Sequence, residues 1–361
     1  MPDLLLVGAG HAHLHAVKHA RELTDAGYRV RLLAPRYFDY SGVASATAVG
    51  SLPRGAGRID AQALAAASGV TFHEGTLADL DLDGRTAVTS AGDRLAYDVL
   101  SINIGSVVEP VDVAIHPDVL RVKPLSRLAD LDVRLRRLHT SRRSGATVTV
   151  VGGGASGLEL AAHLSMRSDV TVVQLVEAGP AIGAGLPDGA RRRMVRLLAG
   201  RGVTVHTGGG VREIREDRLV RDDDTELSHD VALLATGLTA PPLLAQLGLG
   251  DALGVPVRAT LQHVHRDDVY AAGDCARFLP RPLPRVGVHG VRQGPVLHAS
   301  LLARTRGEAL PVYEPQRRAL SILDLGDGMG LAVWGRWWWF GAASLRLKRS
   351  IDRRWLRSYQ R

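Results

Sequence analysis

Four consecutive apolar residues, 4–7, run directly into Gly8-Ala9-Gly10, and beyond the turn Leu14, Val17 and Leu23 recur at helical spacing. The pattern predicts a short buried strand, a tight turn and a helix. It returns with Gly152, 144 residues after Gly8. There residues 147–151 form an apolar run, Gly152-Gly153-Gly154-Ala155-Ser156-Gly157 makes a full GxGxxG, and Leu158, Leu160, Ala161 and Leu164 follow. Further strands are predicted over residues 29–34, 70–73, 87–90, 99–104, 170–176, 231–235 and 269–272. Helices are predicted over 62–68 and 125–138, with a linker over 110–124 and a long loop over 37–50 that enters a helix. Strands alternating with helices imply an α/β chain built on parallel sheets.

A strand, a glycine turn and a helix let the backbone approach a pyrophosphate and aim a helix N-terminus at it. In the first copy His13 takes the place of the third glycine, so that copy alone is a weak signal. The strand after it ends in Ala34-Pro35, where a ribose-binding acid is expected. The second copy is complete, and its next strand ends in Glu177, 25 residues after Gly152. A carboxylate there binds the ribose 2′-hydroxyl and repels a 2′-phosphate, which favours NADH over NADPH. Downstream, Ala235-Thr236-Gly237 and Gly273-Asp274 each close an apolar strand. An Asp in that position can bond sugar-like hydroxyls at the carboxyl end of a sheet.

The chain has 361 residues, 45% hydrophobic and 23% charged, enough for two domains with sizeable cores. The net charge of +8 is concentrated in the tail. Arg346, Lys348, Arg349, Arg353, Arg354, Arg357 and Arg361 there face only Asp352, so no nucleic-acid-binding body is implied. Only three of the 45 basic residues are lysines: Lys18, Lys123 and Lys348. The single cysteine, Cys275, rules out an internal redox pair and reads as a packing residue. The first strand begins so early that no signal peptide is expected, and no apolar window is long enough to span a bilayer.

Taken in order, VGAGHAH, VGGGASGLE, LLATG and VYAAGDCA resemble the pyridine-nucleotide–disulfide oxidoreductase superfamily across most of the chain. YSGVASATAVG, YDVLSINIGS and VRQGPVLHASL narrow the resemblance to one branch. That branch is the flavoprotein module found fused to selenophosphate synthetase, related to type II NADH dehydrogenases. The resemblance implies an α/β fold of two Rossmann-type domains. A discontinuous FAD-binding domain (1–112 and 240–325) would embrace an NAD(P)H-binding domain (113–239), with a C-terminal region at 326–361. The FAD site would comprise Gly8, Ala9, Gly10, His11, Ala12, His13, Ala34, Pro35, Ser41, Gly42, Ile104, Gly105, Ser106, Gly273 and Asp274. Gln293 and Gly294 of the Arg292-Gln293-Gly294-Pro295 stretch would join it by opening a helix beside the flavin. The NADH site would comprise Gly152, Gly154, Ala155, Ser156, Gly157, Glu177, Thr236 and Gly237, with Glu159 catalytic, placing the nicotinamide.

The implied reaction is FAD-dependent oxidation of NADH, with electrons passed to a quinone or another small acceptor. Disulfide reduction and sulfide:quinone chemistry are disfavoured by the cysteine count. The alternatives are a soluble NAD(P)H-dependent reductase of a protein such as a ferredoxin, and a slowly turning-over flavin-binding sensor. His11, His13, His15 and His19 have partly chelating spacing. No carboxylate stands with them in the turn, so no metal is expected. His289 is a candidate neighbour of the flavin. From Ser344 onward, Leu347, Ile351, Trp355 and Tyr359 form an apolar stripe among basic residues. Such a helix suits a membrane surface, or else packing on the protein or a second copy as a homodimer. Residues 337–339, three tryptophans, suit the same surface or else strand core. The expected location is the cytoplasm, with peripheral attachment to the inner face of the cell membrane as the tail's alternative.

Overall fold

The computed structural model describes residues 1–142 and 145–360; Arg361 of the basic tail lies outside the described residues. Two five-stranded parallel sheets organise it. The first runs Val269–Ala271, Val99–Ile102, Asp3–Val7, Arg29–Ala34, Thr71–Glu74 in spatial order. The second runs Leu120–Arg121, Val231–Leu234, Ala146–Val151, Val170–Val176, Thr204–His206. In each, the strand before the glycine turn lies between the strand that follows it and one that arrives much later. The connections therefore leave in opposite directions, which opens a crevice at its carboxyl end. Leu4, Leu5 and Leu6 are fully buried, as a strand covered on both faces requires. The expected fold class, two Rossmann-type units with the first completed by a distant strand, is the one found.

The glycine turns are close-packed. Gly152 has φ +111°, and a Cβ there would lie 2.3 Å from the Ala235 carbonyl oxygen. A Cβ at Gly157 would lie 1.8 Å from the Gly152 oxygen, so only glycine brings that helix onto its strand. At the matching place in the first unit, the His13 ring is buried between helix and sheet. Its Nδ1 lies 2.7 Å from the Gly8 oxygen and its Nε2 2.8 Å from Ser101 Oγ. Burial holds this imidazole neutral, with its pKa down at about 4, against a smaller upward pull from the Gly8 carbonyl.

Several expectations are corrected. The first helix breaks at His19 into His11–Lys18 and Ala20–Asp25. The predicted linker contains two short strands, and Leu120–Arg121 becomes an edge of the second sheet because it pairs with Leu233 and Leu234. The helix expected over 125–138 is split into Leu125–Leu128 and Asp130–Arg142. Gln293 and Gly294 do not open a helix, since Gly287–Arg306 already started there and carries Pro295 in its interior.

The C-terminal region is a three-stranded antiparallel sheet (Leu320–Asp324, Gly330–Trp334, Trp337–Gly341) followed by the helix Ala342–Arg357. The apolar stripe of that helix divides. Trp355 and Tyr359 pack on the first core, whereas Leu347 and Ile351 are 39% and 45% exposed. The buried side is formed instead by Ser344, Leu345, Asp352 and Leu356. The tryptophan strand is not core either, because Trp337 is 59% exposed and Trp339 39%. No helix among the described residues is long and apolar enough to cross a membrane.

Replacing His13 by Ala strands the Gly8 carbonyl and the Ser101 hydroxyl beside a void. It is expected to cost about 3 kcal/mol in a urea unfolding titration, while Gly157→Ala should act on the second unit instead.

Candidate active site

The first crevice is tied together by Asn103. Its Oδ1 accepts from the backbone N–H of Ala12 and His13 (3.0 and 3.2 Å), and its Nδ2 donates to the Ala272 carbonyl (2.6 Å). One amide thus joins the helix start to the ends of two strands. Gly8, with φ +89°, leaves no room for a Cβ, which would meet the Asn103 oxygen at 2.5 Å. Helix Gly287–Arg306 crosses His11–Lys18 closely at two glycines. A Cβ at Gly294 would lie 2.8 Å from that of His15, and one at Gly290 3.3 Å from that of His11. The Gln293 side chain accepts from the Gly273 N–H at 2.6 Å, so its place in the site comes from its amide rather than from a helix end.

Asp274 stands at the end of the returning strand. Its Oδ2 accepts from Ser106 Oγ (2.8 Å) and pairs with Lys123 Nζ (2.9 Å), which also donates to Ser106 Oγ (2.7 Å). Burial pushes this carboxyl up, but the Lys123 ammonium and the two hydrogen bonds outweigh it and hold the pKa below the usual range. Ile104 and Gly105 link Asn103 to Ser106 in the chain. Gly105 has φ +77°, and a Cβ there would meet nothing within 4 Å. His11 packs against Phe38 and Trp355, with ring centroids 5.1 and 5.0 Å away, and its buried Nε2 has no hydrogen-bond partner. Burial lowers its pKa to about 4. Ala34 is fully buried at its strand end, and Arg36, beyond Pro35, pairs with Asp60 at 3.0 Å. Open backbone at Gly105, an unpartnered imidazole and a fixed carboxylate together suit a large polar cofactor such as FAD.

In the second crevice Glu177 reaches back to the glycine turn. Its Oε2 accepts from the Gly153 N–H (2.7 Å) and its Oε1 from the Gly179 N–H (2.8 Å). The start of helix Ala155–Leu164 has no side-chain cap, and Gly154, Ala155 and Ser156 are exposed. A Cβ at Gly154 would meet nothing within 4 Å, and the buried Thr236 Oγ1, next to Gly237, has no partner. Free helix N–H groups beside a held carboxylate fit the pyrophosphate and ribose of a nicotinamide dinucleotide.

Glu159 turns away from its own glycine turn. Its Oε2 accepts from Ser45 Oγ (3.1 Å) and its Oε1 from the Asp324 backbone N–H (2.7 Å). It lines a cavity of about 440 Å³. Val43, Ala46, Leu52 and Ala56 form one wall of the cavity, and Lys348, Arg349, Asp352, Arg353 and Leu356 of the C-terminal helix form the other. Burial raises the Glu159 pKa to about 7, opposed by the Lys348 ammonium and its two hydrogen bonds. Lys348 donates to the Gly42 carbonyl and pairs with Asp352 (3.0 Å), which accepts from Tyr40 Oη (2.9 Å). Gly42 thus anchors the helix, while Ser41 lies beside Gly287.

Other candidates separate. His15 and His19 have ring centroids 4.5 Å apart, and His298 lies within 6 Å of both (5.9 and 5.8 Å). A carboxylate does join this cluster, because Glu22 bonds His298 Nε2 at 3.1 Å. Among the described residues no group of three or more His, Cys, Asp or Glu is arranged to hold a metal. The His289 Nδ1 faces Tyr313 Oη at 2.8 Å. Cys275 is buried against the Ile102 and Ala272 carbonyls, and burial lifts its thiol to about 11. Sequence reasoning missed Asn103, Ser45, Lys123, His163, Asp324 and Lys348. The one available signal was lysine itself, since two of the three lysines in an arginine-rich chain stand at these sites.

Residues 2–294 match the family model described as pyridine nucleotide-disulphide oxidoreductase, and the chain belongs to that family. It is therefore an oxidoreductase, and its cofactors are FAD and NADH. It is 27% identical over 377 residues to nitric oxide reductase FlRd-NAD(+) reductase of Salmonella arizonae, covering 96% of this chain and 97% of that one. It is 28% identical over 224 residues to demethylphylloquinone reductase NdbB of Synechocystis, covering 59% and 55%. Among solved structures, NDH2 from Plasmodium falciparum in complex with NADH superposes with a TM-score of 0.81 at 12% identity, covering 97% of both chains.

The folded pKa of Glu159 lies above the unfolded value. Its protonated form therefore stabilises the fold below about pH 4.5, and that contribution is lost as pH rises through 7. Glu159→Gln, which does not titrate, should gain on the wild type by about 2.5 kcal/mol between pH 5 and pH 8 in chemical denaturation. A gap independent of pH would show that the carboxyl is not enclosed.

Proposed function

We propose that this flavoprotein oxidises NADH held in the second crevice and delivers two electrons, by way of FAD in the first, to a quinone-class acceptor in the cavity beside Glu159. On this reading residues 1–112 and 240–325 carry FAD, 113–239 carry NADH, and 326–361 complete the acceptor site. The cavity itself carries the proposal. It has an apolar wall for a ring and a carboxyl titrating near pH 7 for a reduced oxygen. Demethylphylloquinone reductase activity in a relative, as its name states, supports the same class. FAD supplies the hydride and electron chemistry when bound. The chain's own part is to hold both ligands, exclude water and present protons. Glu159, first expected at the nicotinamide, serves the acceptor here.

Electron delivery to a small redox protein is the second reading, favoured by the near full-length similarity to a FlRd-NAD(+) reductase. Stopped-flow mixing of the NADH-reduced protein with menadione, ferredoxin or oxygen separates the two. Quinone is expected to reoxidise the flavin fastest, and preferential reoxidation by the protein acceptor would reverse the assignment.

Glu177→Ser removes the charge that opposes a 2′-phosphate. It is expected to lower KM for NADPH about tenfold and raise that for NADH, in steady-state assays.

We also infer peripheral attachment to an anionic bilayer. The exposed Trp334, Trp337, Trp339, Leu347 and Ile351, with Arg346 on the same C-terminal helix, provide aromatic, apolar and cationic groups on one region. Co-sedimentation with vesicles containing phosphatidylglycerol should fall on substituting Trp337 and Trp339 by Ser. Unchanged sedimentation would leave the helix with a packing role alone.

A further inference from the structure

His163 stands one helical turn beyond Glu159 and lines the same cavity. At that i,i+4 spacing the two side chains share a helix face, with Cβ atoms about 6 Å apart. His163 is 2% exposed, and neither ring nitrogen has a hydrogen-bond partner. A buried imidazole satisfied on neither side is costly, and such groups mark functional sites more often than structural ones. Its Nε2 lies 3.5 Å from Asp324 Oδ1. The backbone N–H of that same Asp324 donates to Glu159. Gly326 makes the room: with φ +85°, a Cβ there would lie 3.0 Å from His163 Nδ1.

We propose that His163, oriented by Asp324, supplies the proton that Glu159 hands to the acceptor. The inference rests on the acceptor reading above. The overall conversion is NADH + H⁺ + acceptor → NAD⁺ + reduced acceptor. The nicotinamide loses two electrons and one hydrogen, its C–H bond breaking, and a quinone gains two electrons and two O–H bonds. One proton per turnover must therefore come from water. Glu159 gives up its proton to an oxygen of the acceptor and becomes a carboxylate. A proton from outside then enters at one ring nitrogen of neutral His163 while the other ring nitrogen gives its proton to Glu159 across the cavity, which leaves the imidazole neutral again. The groups that face His163 from other elements are Asp324 and Asp327 of the C-terminal sheet region, Arg201 beyond helix Asp188–Gly200, and Lys348. Burial acts first to lower the His163 pKa, and the two carboxylates oppose it. A neutral imidazole, with one ring nitrogen open to a proton and the other carrying one, suits the passage of a proton. His163 acts through Glu159 and is a positioning residue rather than a group in contact with the acceptor.

The test uses the FAD-loaded protein and menadione. In His163→Gln, flavin reduction by NADH should be unchanged. Reoxidation by menadione should slow at least about tenfold at pH 8, with a larger solvent isotope effect and partial rescue by added imidazole. His163→Asn provides a second side chain in case Gln packs poorly. Equal slowing of both half-reactions, or slowing that imidazole and pH do not alter, marks a packing role and overturns the proposal. Unchanged reoxidation overturns it as well. Glu159→Gln separates this failure from that of the acceptor site. If Glu159→Gln slows reoxidation and His163→Gln does not, only the relay falls; if neither does, the cavity is not where the acceptor is reduced.

Discussion

One side-chain amide holds the first half of this molecule in register. Asn103 stands just beyond its strand, accepts from the first turn of the opening helix and donates to the strand that returns from the far side of the sequence. Without it, two buried N–H groups beside the glycine turn would be left without partners, and the Ala272 carbonyl would keep only the weak Cys275 thiol. Each unsatisfied buried group costs about 1–3 kcal/mol. The amide therefore fixes the crevice geometry as well as the fold. The close glycine crossing of helices His11–Lys18 and Gly287–Arg306 rests on the same alignment, because Gly273, one residue past Ala272, is bound by Gln293.

The C-terminal region plays a different part. It adds no strand to either parallel sheet, yet it closes a cavity that neither Rossmann unit makes alone. Lys348, Asp352 and Tyr40 form a chain from the last helix to the segment after the second strand, and Trp355 stacks on Tyr40 with ring centroids 4.6 Å apart. Lysine suits this position because a single ammonium can serve a carbonyl and a carboxylate at once from a narrow space, where a guanidinium fork would need a wider plane. The same argument applies to Lys123 between Ser106 and Asp274.

Both glycine turns, their strands and Glu177 were legible in the sequence, because each is local. A few adjacent residues set the turn, and a period of two or 3.6 sets its flanks. His13 looked like damage to a motif. It is a substitution with its own hydrogen bonds, which only the position of Ser101 reveals. The surroundings of Glu159 were hidden for a related reason. Its partners, Ser45 and Asp324, lie 114 residues before it and 165 after it, and no pattern along the chain links them. The tail stripe was read from spacing alone, and tertiary contacts through Lys348 and Asp352 turned the helix so that half the stripe faces out.

The strand Val269–Ala271 forms the edge of the first sheet against Val99–Ile102, although 167 residues separate Ile102 from Val269. Translation at about 5–20 residues per second places roughly 10–30 s between their appearances at the ribosome. Through that interval the first sheet has an open flank at residues 99–102, and the strands of the second unit are all made before Val269 emerges. The later domain thus has every piece needed to fold before the earlier one does. An exposed row of backbone donors and acceptors on Val99–Ile102 is the temporary hazard that this order of synthesis brings.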